Sequence, residues 1–112
     1  RVLIARTLAQ DTPLLMADEP IAGLDPAAQI ATLQVFKTLA QAGRAVLTSL
    51  HDLSLAGRYC PRLILLGAGR IIADGAPRDV LTPALLAEVF RLEAEVIDTP
   101  QGPIVQPLGV LT

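Results

Sequence analysis

Leu14-Leu15-Met16-Ala17-Asp18-Glu19 is the stretch on which the reading of this chain turns. Four apolar residues in a row, preceded by the breaker Asp11-Thr12-Pro13, predict a fully buried strand over Leu14 to Ala17. Its abrupt end in two carboxylates puts acids at the carboxyl end of a strand, where open α/β sheets hold their ligands. One acid can hold Mg²⁺ against a phosphate while the other orients an attacking water. The same pattern also fits a strand end whose acids simply face solvent.

Working outward, the segment from Arg1 to Gln10 reads as a helix with a broad apolar face, suited to lying against a sheet. Pro20 to Leu24 reads as a loop. Asp25-Pro26 is then a helix start, because the carboxylate can cap free amides and proline fits the first helical position. That helix is expected to reach about Ala42, stopped by Gly43, with Ile30, Leu33, Phe36 and Ala40 along one side. Arg44 to Leu50 predicts a second buried strand, and Leu53 to Cys60 a short helix ending before Pro61. Leu63 to Leu66 and Arg70 to Ala73 read as strands joined by the turn Gly67-Ala68-Gly69.

This early strand–helix–strand–helix alternation indicates an α/β domain with a parallel sheet and flanking helices. After Asp74-Gly75 the prolines at 77, 83, 100, 103 and 107 change the character of the chain. One or two short helices fit Arg78 to Phe90, with Thr82-Pro83 as a restart. Glu93 to Asp98 and Ile104 to Gln106 pair as a small hairpin around Pro100-Gln101-Gly102. The expected division is therefore a core over residues 1–75 and a helical and hairpin extension over 76–112.

Composition narrows the function. The chain's 112 residues suffice for one domain but not for two independent ones, and 52% apolar content argues against disorder. A formal charge of −2, spread along the length, gives no basic patch for nucleic acid or anionic lipid. No apolar run approaches the roughly 20 residues of a spanning helix. No small-residue cleavage pattern follows Arg1. The single cysteine, Cys60, excludes an intrachain disulfide and reads as a small apolar residue at a helix end. A chain that opens on Arg1, in a helix-like segment, reads as part of something longer.

Two later features bear on the acidic pair. His51 follows directly on the second strand, in Thr48-Ser49-Leu50-His51-Asp52. Neighbouring parallel strands end on the same side, so His51 can come near Glu19; taken alone, a single histidine is more often structural. The loop Ala22-Gly23-Leu24-Asp25 lies between the pair and a helix N-terminus, and helix capping by Asp25 alone would account for it.

In this order and spacing the residues resemble the ATPase subunits of ABC transporters. Asp18-Glu19-Pro20 is similar to the end of their Walker B motif and the glutamate after it. Ala22-Gly23-Leu24-Asp25 is similar to the D-loop, His51 to the switch histidine, and Arg1-Val2-Leu3-Ile4-Ala5-Arg6 to the helix after the signature sequence. The resemblance covers the C-terminal half of such a subunit and implies part of a P-loop NTPase fold. It implies ATP and Mg²⁺ as cofactors, Asp18 as the metal-holding residue, Glu19 as general base and His51 as a catalytic group touching the γ-phosphate. Asp25 would lie at the interface with a second ATPase subunit.

Transmembrane permease subunits, and through them a substrate-binding protein, are the further implied partners, with a peripheral place on the cytoplasmic face of the membrane. His51 to Ala56, Gly69 to Gly75, Asp79 to Pro83 and Leu85 to Phe90 are similar to subunits importing iron–siderophore complexes, haem or vitamin B12. Ile21 and Ala17 depart mildly from that family's pattern. The Walker A loop, the Q-loop and the signature sequence are absent from these 112 residues, so this segment alone is expected neither to bind nor to hydrolyse ATP. The other readings are a non-catalytic interaction module and an ATPase of DNA repair or chromosome maintenance.

Overall fold

The computed structural model describes residues 14–111. The helix expected over Arg1 to Gln10 and the breaker Asp11-Thr12-Pro13 lie outside the described residues. The chain divides into two compact units, residues 1–51 and residues 52–112.

In the first unit, β1 (Leu14–Asp18) and β2 (Ala45–Ser49) pair in parallel, joined by α1 (Pro26–Gln41). A strand, a crossover helix and a parallel neighbour make the expected α/β unit. Asp25 caps α1, its Oδ1 accepting from the Ala28 N–H at 2.8 Å, and Pro26 occupies the first turn without losing a needed donor. At the other end Gly43 has φ +97, which a residue with a Cβ rarely adopts.

Leu33 and Phe36 of α1 are buried, as are Leu15 and Ala17 of β1. Ala40, expected on the same face as Leu33 and Phe36, is exposed. The two strands are not fully buried as their apolar runs suggested. Burial alternates along them, leaving Met16 and Leu47 exposed. This follows from the pleat: successive side chains take opposite faces, and only one face of this two-stranded pair meets the core.

The second unit opens with α2 (Leu53–Tyr59), capped by Asp52, whose Oδ1 accepts from Leu55 N–H at 2.9 Å. β3 (Leu63–Gly67) and β4 (Arg70–Gly75) form an antiparallel hairpin. Its two loop residues, Ala68 at φ +51 and Gly69 at φ +75, follow the strand twist as a type I′ turn does. Next come α3 (Pro77–Val80) and α4 (Pro83–Phe90), the latter capped by Thr82 as the Thr-Pro pair predicted.

The chain closes with β5 (Leu92–Thr99) and β6 (Gly102–Val110), an antiparallel hairpin longer than expected. Pro103 and Pro107, read as punctuation, lie within β6. A strand at the edge of a two-stranded sheet tolerates prolines, and a register shift beside Pro107 absorbs the irregularity.

Leu81, Leu86 and Val105 centre this second core, with Leu53, Leu63, Leu92, Ala94 and Val96 packed against them. Burying each leucine contributes about 1.5–3 kcal/mol. The hairpin turn also meets α2 backbone to backbone: a Cβ on Gly102 would sit 2.6 Å from the carbonyl oxygen of Gly57. Among the described residues no helix is long and apolar enough to cross a membrane.

Candidate active site

Parallel register sets the site. β1 and β2 pair from Leu14 opposite Ala45 to Asp18 opposite Ser49, so both strands release their chains at the same end. Glu19 follows one strand directly and His51 follows the other by two residues. The carboxylate Oε1 of Glu19 contacts Nε2 of His51. The His51 side chain is 80% exposed and that of Glu19 38%, so the pair is open to water and ligand. A side-chain pair this exposed adds at most about 1 kcal/mol to stability.

Asp18 ends β1 half-buried, and its Oδ1 accepts from Ser49 Oγ at 2.6 Å, a short charge-assisted bond. The same Ser49 Oγ accepts from the Glu19 N–H at 2.9 Å, which also reaches the Ser49 carbonyl at 3.2 Å. The Glu19 carbonyl accepts from Ala22 N–H at 3.2 Å. These bonds surround a backbone at φ +48, left-handed for a residue with a long side chain. Such a conformation costs about 1–3 kcal/mol and survives only where its surroundings fix it.

Asp18, Glu19 and His51, the three residues singled out for metal and water chemistry, thus lie at one end of one strand pair. Asp25 is placed differently. Its carboxylate caps the helix at Ala28 N–H, and the loop before it folds on Ile21, whose side chain is buried and whose carbonyl accepts from Leu24 N–H and Gln29 Nε2. Sequence reading missed Ser49. The available signal was the polar residue ending an apolar strand, two positions before His51 and in register with Asp18.

The donor set suits Mg²⁺. A hard cation takes one or two carboxylates and completes its octahedron with water and phosphate oxygens. Asp18 at the strand end offers such a carboxylate. Among the described residues no group of three or more His, Cys, Asp or Glu side chains forms a closed cage, which a softer structural metal would want. Gly67-Ala68-Gly69 is a hairpin turn and carries no lysine, so it is no phosphate cradle. Burial pushes the Cys60 thiol up, away from the thiolate a nucleophile needs.

Known proteins resemble this chain in sequence and in fold. Over 100 residues, 89% of this chain, it is 49% identical to the hemin import ATP-binding protein HmuV of Nocardia farcinica, spanning 35% of that protein. Over 97 residues, 86% of the chain, it is 48% identical to the cobalamin import ATP-binding protein BtuD of Halobacterium salinarum, spanning 24% of it. A solved metal-chelate type ABC transporter in an inward-facing conformation superposes with a TM-score of 0.76 at 24% identity, over 96% of this chain and 44% of that one. At that identity the likeness is one of fold.

The structure of cbiO1 from Clostridium perfringens, part of the ABC transporter complex cbiONQ, gives a TM-score of 0.62 at 27% identity, over 76% of this chain and 34% of that one. No protein-family profile matches the chain. The chain spans less than half the length of each of these relatives, matching the C-terminal part of the import proteins. It is a homologue of that part of the ATP-binding proteins of ABC importers.

Proposed function

We propose that this segment supplies the metal- and water-handling half of an ATP-hydrolysis site, in the ATP-binding subunit of an ABC importer that takes up hemin, iron–siderophore complexes or cobalamin. The observation that carries the reading is the meeting of Asp18, Glu19 and His51 at the shared end of two parallel strands. The names of the hemin and cobalamin import proteins among its relatives support hemin and cobalamin as cargo.

Each role follows from side-chain chemistry. Asp18 holds Mg²⁺, directly or through water; when bound, the cation neutralises charge on the phosphates. Glu19, partly exposed and fixed by its backbone, accepts the proton of a water as that water's oxygen bonds the γ-phosphorus and the bond from that phosphorus to the bridging oxygen breaks, releasing ADP. His51 beside it holds the attacking geometry, so its contribution is positioning. The phosphate grip comes from a Gly-rich Lys-Ser/Thr loop that these 112 residues do not contain.

On this reading residues 1–75 carry the ATPase motifs and 76–112 form an extension. Asp25 faces a second ATPase subunit, and permease subunits anchor the assembly at the cytoplasmic face of the membrane, served by a substrate-binding protein. The test is Glu19→Gln in the complete polypeptide that carries this segment. The amide keeps the shape and cannot take the proton, so ATP hydrolysis falls by about 10²–10⁴-fold while ATP is still bound. Turnover near wild type in that variant removes Glu19 from its role.

A further inference from the structure

Among the described residues Ser49 bonds both Asp18 and Glu19, and neither the motif pattern nor the relatives' names assign it a task. It ends β2 in register with Asp18, so the two side chains leave the same face of the sheet. Its hydroxyl does two jobs at once. The proton goes to Asp18 Oδ1 at 2.6 Å, and the oxygen lone pairs accept from the Glu19 N–H at 2.9 Å. A serine hydroxyl has one donor and two acceptor sites, so this arrangement fixes its rotor.

We propose that Ser49 is a positioning residue of the hydrolytic site, locking the carboxylate of Asp18 and the backbone of Glu19 into one geometry; this rests on the ATP-hydrolysis reading above. The argument has two steps. A carboxylate that holds a small octahedral cation must present its oxygen at a fixed angle, because Mg²⁺ tolerates little distortion. Rotation of Asp18 about its last side-chain bond is restrained by the bond from Ser49 Oγ to Oδ1.

The second step concerns Glu19. Its φ of +48 is held in part by the N–H shared between Ser49 Oγ and the Ser49 carbonyl. Loss of the hydroxyl leaves the carbonyl bond in place. The backbone of Glu19 is then weakened but not released, while Asp18 loses that donor outright. The larger consequence of removing the hydroxyl therefore falls on the cation, with a smaller one on catalytic turnover. A merely structural serine would show neither, since an exposed hydroxyl at a strand end contributes little to folding.

The experiment uses the complete polypeptide in the Glu19→Gln background, where turnover does not interfere, with Mn²⁺ as the probe cation. Mn²⁺ is titrated at fixed ATP and bound metal is read by electron paramagnetic resonance. Ser49→Ala is expected to weaken Mn²⁺ binding about 10-fold, the range seen when the partner of a metal ligand is removed. ATP binding in EDTA should not change. Ser49→Thr, which keeps the hydroxyl, should restore the metal affinity, and Ser49→Cys, similar in size but a weak donor, should not.

Wild-type Mn²⁺ affinity in Ser49→Ala, with a loss in Asp18→Asn, overturns the role of Ser49 and leaves the hydrolytic reading intact. Failure of Ser49→Thr to rescue overturns it also. An Asp18→Asn variant with undiminished Mn²⁺ affinity overturns the metal assignment itself, and the Ser49 proposal with it.

Discussion

Residues 14–51 and residues 52–111 both contain a backbone turned to positive φ where it matters, and they fill that position with opposite residue types. In the first unit it is Glu19, at φ +48, directly after β1. In the second it is Gly102, at φ +117, at the start of β6. Glycine adopts that region freely and lets the hairpin turn settle on the backbone of Gly57. A glutamate there gains nothing in packing, since its side chain stays partly exposed beside an exposed histidine. At Gly102 the close approach is met by the residue without strain; at Glu19 the strain is accepted beside His51, as it is in the turns at Ala68 and Arg91 of the second unit.

His51→Ala breaks the comparison on its chemical side and carries the largest effect. If the strand ends are organised for catalysis, removing the imidazole lowers ATP hydrolysis of the complete polypeptide by about 10³-fold, within the range of a lost catalytic group. Nucleotide binding measured at equilibrium should stay within a few-fold of wild type, and thermal stability should barely move, since the side chain is 80% exposed. An unaffected rate would return His51 to a structural role and make the placement of Glu19 unexplained.

Gly102→Ala tests the other half. A Cβ would stand 2.6 Å from a backbone oxygen that no rotamer change can move, at a φ that alanine resists. Steric displacement and backbone strain together are expected to destabilise by about 3 kcal/mol. Thermal unfolding and amide exchange at Val96 and Val105 would read it, because both residues belong to the core beneath the hairpin. Wild-type exchange at those amides would mean that the turn does not rest on α2. Gly57→Ala should act in the same direction, since its Cβ would meet Leu81 Cδ1 at 3.0 Å and the Pro103 carbonyl at 3.1 Å.

What could be read from sequence differs between the units for the same reason. Signals local to a few residues were legible: Asp25-Pro26 and Gly43 bracket α1, Thr82-Pro83 starts α4, and Pro100-Gln101-Gly102 turns the last hairpin. The meeting of Glu19 with His51 was legible because it needs only that two parallel strands be neighbours. Features set by contact between distant segments were not. Nothing in the neighbourhood of Gly57 announces that Gly102 lies against it. Ser49 acquires its role only from a register that puts it opposite Asp18. The length of β6 was hidden because Pro103 and Pro107 read as strand breakers, a rule that holds for central strands and relaxes at an edge. An apolar run suggested burial on both faces of β1 where the pleat delivers one.

The smallest expected effect separates two roles that sequence alone leaves superposed on Asp25. Its Oδ1 bond to Ala28 N–H is an N-cap, and Asp25→Ala should lower stability by about 1 kcal/mol through that bond. Asp25→Ser keeps an oxygen in reach of the same amide and should recover most of that loss. If Asp25 also couples two ATPase subunits, the serine variant will remain deficient in hydrolysis despite its restored stability. The charge and reach needed across an interface are gone while the cap remains. Should Asp25→Ser hydrolyse ATP as the wild type does, capping is its whole task, and the first unit holds one functional cluster rather than a cluster and an interface.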